Sequence, residues 1–370
     1  MKSINKSDIV IYAALFLFSV NLSAQDFDEL EFGTDSTFEI LTWNIEWFPK
    51  NGQITVDYVT QIIQALEIDV LAIQEVSDTL LFNQMLDELT GYESYYQSAW
   101  FAGLAYIYKT NSIEINDIYE IYTTAPYWSP FPRSPMVMDM TYLGENILII
   151  NNHFKCCGDG YLDLDDPDDE ETRRYLASNL LKEYIDTNFS NNNVIVLGDL
   201  NDILTDDTEN NVFQMILNDS ENYLFADMEI ATGNSSEWSY PWWPSHIDHI
   251  LITNELFDEY ENESSTVQTI KIDEFMDGGF DEYYENISDH RPVALKLEFI
   301  ALSDGDVNGD GVTDIIDVNI LVDFILGNQI PTPSQIATAD LNQDTIIDVM
   351  DIVLLVDLIL GSTMLPIQTR

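Results

Sequence analysis

Short, uninterrupted apolar runs rich in β-branched residues recur along the chain, and nearly every one begins or ends at a polar residue. The clearest is Val194-Ile195-Val196-Leu197, which stops at Gly198-Asp199-Leu200-Asn201-Asp202. A run this short and this apolar reads as a strand buried on both faces. Residues 38–47 and 70–73 read the same way, and between them apolar residues at 56, 59, 62, 63 and 66 keep helical spacing. Strand, helix and strand in that order form a crossover unit of a layered α/β domain. Further strands are predicted over 104–108, 113–122, 136–142, 147–150, 247–252 and 293–299, with helices over 172–187 and near 210–217. Four prolines between 124 and 135 mark an irregular loop around Arg133.

The pattern changes at both ends. Lys2 and Lys6, an apolar block over 9–20, and Ser23-Ala24 are the three parts of a secretory signal, and the block is short for a membrane span. The expected organisation is a signal peptide over 1–24, an acidic leader over 25–36, a catalytic unit over 37–300 and a separate tail over 304–362. That makes the mature protein secreted or cell-surface, with no transmembrane segment after cleavage, and a monomer. The tail repeats itself, residues 306–327 matching 340–361.

Composition narrows the function. With 46% hydrophobic residues in 370, a large core is available, while the net charge of −53 repels polyanions at long range. This argues against tight non-specific duplex binding through counterion release, yet not against cutting nucleic acid, because a divalent cation offsets the field locally. The two cysteines, Cys156 and Cys157, are adjacent. They exclude a disulfide-stapled scaffold, make a poor zinc site, and leave either a vicinal disulfide or two free thiols. The acidic stretch 159–171 reads as a solvated loop or a calcium site. The aromatic loop Trp238-Ser239-Tyr240-Pro241-Trp242-Trp243-Pro244 reads as a ligand platform or as packing.

Candidate chemistry lies where strands start or stop: Asn44, Glu75, His153, Asp199 with Asn201, Asp248, and Asp289 with His290. If these strands share a layered core, the residues gather on one rim. Alternation along an extended chain would point Asp199 and Asn201 to one side. Oxygen ligands and imidazoles without a thiolate favour magnesium, manganese or calcium over zinc, and suit phosphate-ester hydrolysis. His246 and His249 read as satisfied core residues.

Trp43-Asn44-Ile45, Gln74-Glu75, Asn152-His153, Gly198-Asp199-Leu200-Asn201, Ile247-Asp248-His249 and Ser288-Asp289-His290-Arg291-Pro292 resemble, in order, the motifs of the endonuclease/exonuclease/phosphatase superfamily, deoxyribonuclease I-like enzymes among them. The resemblance implies a four-layer α/β sandwich, two mixed β-sheets flanked by helices, and a Mg2+- or Mn2+-dependent phosphoric ester hydrolase. It implies Glu75, Asn44 and Asp289 as metal ligands and His290 as general base oriented by Asp248. Asp199 and Asn201 would position nucleophile and phosphate, His153 would bond the phosphoryl oxygens, and Arg133 matches a phosphate-binding arginine. One departure is visible: the deoxyribonuclease branch carries an acidic partner for its first histidine near the strand that here reads Ala102-Gly103-Leu104-Ala105-Tyr106.

In the tail, Asp306, Asn308, Asp310, Gly311, Asp314 and Asp317 occupy positions 1, 3, 5, 6, 9 and 12 of a calcium loop. Asp340, Asn342, Asp344, Asp348 and Asp351 repeat it, with Thr345 in the glycine position and hence a weaker second site. Loop positions 10 and 11 read Ile315-Ile316 and Val349-Met350, alike but not identical. The unit resembles a type I dockerin, a small α-helical module of paired Ca2+ loops that implies a cohesin-type partner and calcium-dependent folding. The leading expectation is a secreted phosphodiesterase, an endonuclease on DNA or RNA. The alternatives are a sphingomyelinase-like or inositol-phosphate phosphatase and a non-catalytic, scaffold-docked binding protein.

Overall fold

The computed structural model describes residues 27, 29–34, 36–96, 102–299, 305–342, 344 and 346–360. The expected signal peptide, Thr345 and Gly361 lie outside them. Twelve strands run β1 Phe38–Phe48, β2 Val70–Val76, β3 Tyr92–Tyr95, β4 Gly103–Lys109, β5 Glu114–Glu120, β6 Met136–Tyr142, β7 Glu145–His153, β8 Asn193–Asp199, β9 Tyr223–Phe225, β10 Asp248–Thr253, β11 Thr266–Thr269 and β12 Val293–Leu297. They form two mixed sheets of six, ordered β11-β12-β1-β2-β4-β3 and β5-β6-β7-β8-β10-β9.

Three apolar clusters separate four layers, and alternation along single strands explains why. In β8, Ile195 and Leu197 enter the cluster between the sheets, with Phe38 and Ile40 of β1 and Val293 and Leu295 of β12. Val194 and Val196 point the other way, onto Ala177, Leu181 and Ile185 of the helix Glu170–Asn188. On the opposite side, Leu41, Trp43 and Ile45 of β1 meet Val59, Ile62 and Ile63 of the helix Gln53–Leu66. The expected four-layer sandwich is therefore present, and each central strand is apolar on both faces because each face has a layer to cover it.

Several expectations shift in detail. The helix near 210–217 shrinks to Gln214–Leu217. The helices Thr79–Glu88 and Gly279–Asn286 and the short strands β3, β9 and β11 are additions. Among the described residues, no helix is long and apolar enough to cross a membrane.

In the tail, the helices Ile315–Leu326, Pro333–Ala339 and Val349–Ile359 pack around Val307, Leu321, Phe324, Ala339 and Leu355. The sequence repeat becomes a repeat of hydrogen bonds. Asp317 accepts from the amides of Val307, Asn308 and Asp314, and Asp351 accepts from those of Asn342 and Asp348. Asp314 and Asp348 each close a capping box at the helix that follows.

Candidate active site

Three strand ends stand abreast. The parallel β7–β8 register pairs His153 with Asp199, and the antiparallel β8–β10 register pairs Asp199 with Asp248. Gly198, one residue before, lies at φ +146°, and a Cβ there would fall 2.0 Å from the Asn152 carbonyl oxygen. No larger residue allows the two strands to come this close.

The first sheet completes the rim. Asn44 of β1 donates to Asp199 Oδ2 at 3.0 Å. Beyond Asn44 the β1–β2 register shifts, with Glu46, Trp47 and Glu75 all at positive φ. That left-handed backbone re-aims Glu75, whose Oε2 accepts from the Trp47 amide at 3.0 Å while Oε1 lies 3.8 Å from His153 Nε2. His290 is fixed from behind: Ser288 Oγ donates to the Asn44 carbonyl at 2.6 Å and accepts the His290 amide at 3.0 Å. Its Nδ1 lies 2.8 Å from Asp248 Oδ2, so its Nε2 faces Asp199 Oδ2 and Asp289 Oδ1, each at 3.9 Å.

Burial lowers the proton affinity of His290, but Asp248, Asp199 and Asp289 outweigh it and push the pKa up to about 10. His153 goes the other way, well below the usual imidazole range, through burial and then the charges of Arg133 and His290. Burial, reinforced by Asp248 and Glu75, raises Asp199 to about 7 against the opposing pull of His290 and Asn44. The buried Asp248 Oδ1 has no hydrogen-bond partner among the described residues. Desolvated carboxylates in such excess over cations fit a site that holds a hard divalent cation, and the oxygen donors match.

Asn44, Glu75, His153, Asp199, Asp248, Asp289 and His290 thus meet at one end of the sandwich. Arg133 is close enough for its charge to act on His153, while its Nε donates to the Ala102 carbonyl at 3.3 Å. Asn201 behaves differently from the extended-chain expectation. The strand ends at Asp199, Asn201 takes φ +55°, and its side chain donates to the Phe154 carbonyl at 3.3 Å. His153 Nδ1 is buried without a hydrogen-bond partner among the described residues, in keeping with the carboxylate missing from the 102–106 stretch.

Sequence reasoning missed Glu46, whose carboxyl is raised by burial and by Asp289 against the pairing with Lys50. It lies two residues past Asn44 at φ +32°, where the backbone has left the extended form and alternation no longer places side chains. Tyr240 was also missed; its ring lies 4.9 Å from that of His290. In the aromatic loop, Trp238 packs, donating to the Ile230 carbonyl at 3.0 Å. Trp242 stacks at 4.6 Å on Tyr284, whose ring also lies 3.8 Å from the Lys50 ammonium, and remains 58% exposed. His246 and His249 are core residues as expected: both face Asp227 Oδ2, at 3.0 and 2.6 Å, and their remaining nitrogens face the Ser239 amide and the Asp202 carbonyl. Cys156 and Cys157 are free thiols with sulfurs 2.9 Å apart.

The two-sheet sandwich and its carboxylate-histidine rim define a metal-dependent phosphoric ester hydrolase. The chain belongs to the endonuclease/exonuclease/phosphatase family, whose model matches residues 41–290, and residues 304–360 match the dockerin type I domain. The family depends on divalent metal, and dockerins bind calcium. D. rerio TDP2 complexed with a single-strand DNA product aligns with a TM-score of 0.53 at 14% identity, covering 72% of this chain and 100% of that one. The human Nocturnin catalytic domain with a bound sulfate anion aligns at 0.52 and 17%, covering 71% and 94%. At these identities the likeness is one of fold. No sequence among curated proteins matches the chain significantly.

Proposed function

We propose that the chain is a secreted phosphodiesterase that hydrolyses single-stranded nucleic acid, carried to a cohesin-bearing scaffold by its dockerin. The observation that carries the reading is the Asp248–His290 pair, 2.8 Å apart and aimed at Asp199 beside His153. In this reading Glu75, Asn44 and Asp289 hold Mg2+ or Mn2+. The cation would offset charge on the phosphoryl oxygens and part of the carboxylate field that raises the pKa of His290. His290 Nε2 takes the proton of the attacking water, with Asp248 fixing the ring through Nδ1. Asp199 orients that water, and Asn201 lies beside it at the phosphate. His153, neutral at physiological pH, donates from Nε2 to a phosphoryl oxygen, and Arg133 adds charge from the same side.

The exposed face of Trp242 offers stacking to a base without demanding the basic surface that this acidic chain lacks. The fold relative solved with a single-strand DNA product supports the substrate class. The −53 charge favours a small phosphate ester as the second reading. A panel of single-stranded DNA, RNA, duplex DNA, sphingomyelin and inositol phosphates, run with Mg2+, Mn2+ and chelator, tests both. Faster turnover of inositol phosphate or sphingomyelin than of any nucleic acid overturns the nuclease reading. Activity unchanged by chelator overturns the metal. Calcium in the tail loops is tested separately, by cohesin capture with and without Ca2+.

A further inference from the structure

The chain leaving β7 after His153 returns to the helix Glu170–Asn188 through an irregular acidic loop. There Asp159, Asp169 and Glu171 bring one oxygen each to within 4.8 Å of one another. In so acidic a chain that alone means little. Glu171, however, is 2% exposed. Its Oε1 accepts from the Gly160 amide at 2.7 Å and lies 3.1 Å from Arg174, while its buried Oε2 has no hydrogen-bond partner among the described residues. A buried carboxylate oxygen without a donor costs the desolvation of its charge unless a cation meets it. The loop backbone presses on the same carboxylate: Gly158 lies at φ +113°, and a Cβ there would fall 2.2 Å from Oε1 and 2.5 Å from Oε2. The neighbours are occupied at one oxygen each, Asp169 Oδ2 by the Thr172 amide and Asp159 Oδ1 by the Tyr161 amide.

We propose that Asp159, Asp169 and Glu171 form a calcium site that clamps this loop beside the active site. Oxygens that all lie within 4.8 Å of one another can close on one ion at calcium–oxygen distances of about 2.3–2.6 Å with small side-chain adjustments. An irregular loop suits calcium's variable coordination better than the strict octahedron of magnesium, and a set of oxygens without thiolates excludes soft metals. The clamp reaches the rim through Arg174, which bonds Asp202 Oδ2 at 2.8 Å and the carbonyls of Lys155 and Cys157 at 2.8 and 2.7 Å. Lys155 follows His153 by two residues, and Asp202 follows Asp199 by three. The ion therefore ties the segment after β7 to the segment after β8. None of its ligands belongs to the phosphate site or to the tail.

The test uses the full chain. Asp159→Asn/Asp169→Asn takes two negative charges from the site gently, because Asp159 is exposed and Asn caps a helix as well as Asp does. Equilibrium dialysis with metal analysis should find one calcium equivalent fewer than in the wild type. Hydrogen exchange read by mass spectrometry should show the amides of 158–168 slowed by Ca2+ at least tenfold in the wild type and unchanged in the variant. A tail variant, Asp306→Asn/Asp340→Asn, should keep that slowing. Equal stoichiometry in wild type and loop variant, no calcium effect on the wild-type loop, or equal slowing by the same concentration of Mg2+ overturns the proposal.

Discussion

Asp248 stands in one sheet and His290 leads into a strand of the other, and the 2.8 Å contact between them bridges the sandwich at its rim. Asp248 opens β10 of one sheet, while His290 sits three residues before β12 of the other. The Asn44–Asp199 hydrogen bond crosses in the same way. The site is thus a product of how the sheets dock, and single substitutions there report on alignment as much as on chemistry.

If His290 is the base, His290→Ala lowers kcat on the preferred nucleic acid by about 10²- to 10⁴-fold, with KM changed little. Asp248→Asn, which keeps the contact and loses the charge, gives a smaller loss. Steady-state kinetics with purified variants decide it, and a rate within twofold of wild type would remove His290 from the mechanism.

Trp242→Ala is expected to raise KM for single-stranded DNA by about 5- to 150-fold, the worth of about 1–3 kcal/mol of stacking. Hydrolysis of a small aliphatic phosphodiester should not change. Equal losses on both substrates would assign Trp242 to the fold.

Gly198→Ala should destabilise the catalytic unit by more than about 3 kcal/mol, since the obstacle is backbone and cannot rotate away. Denaturant unfolding measures it. A loss under about 1 kcal/mol would mean that β7 and β8 can part at no great cost.

Asp227 gives stability a pH window. Burial raises its pKa, but His249 and His246 overcome that and hold it well below the ordinary 3.8. His249 is lowered by burial and raised further by Asp227, ending above the ordinary 6.5. A depressed carboxylate stabilises above its unfolded pKa, and a raised imidazole stabilises below its own. Both contributions are therefore complete between about pH 4 and 6.5. The contribution of His249 fades as pH rises through its folded value, and that of Asp227 fades as pH falls through its own. Thermal melts of wild type against Asp227→Asn should differ most inside that window, whereas a difference independent of pH would refute the linkage.

Chelation of the full chain should abolish hydrogen-exchange protection in the helices Ile315–Leu326 and Val349–Ile359 and leave β1 and β8 protected. The tail's core holds few large side chains, so its loops need their ions more than the sandwich does. Retained protection in both helices would separate tail folding from calcium.

The interior of this fold was the most legible part of the sequence. Central strands such as β1, β2, β7 and β8 are covered on both faces, so Val194 to Leu197 could only read as continuous apolar chain. The edge strands β3 and β11, Tyr92–Tyr95 and Thr266–Thr269, have half-exposed residues and no such run. Asp199 was legible as a strand end, and its neighbours His153 and Asp248 followed once register aligned them. What alternation could not convey was where it stops: the left-handed turn at Asn201 and the shifted register after Asn44 depend on contacts made across the rim. Glu46 and Tyr240 were missed for that reason.

Ser288 and Asn44, joined by one hydrogen bond, stand 244 residues apart. No partial chain released from a ribosome, and no fragment cut within the sandwich, contains a finished site. Recovery of activity on refolding should therefore lag behind recovery of secondary structure, and a phosphate ester becomes a reporter of the moment when the first and last strands of the catalytic unit meet.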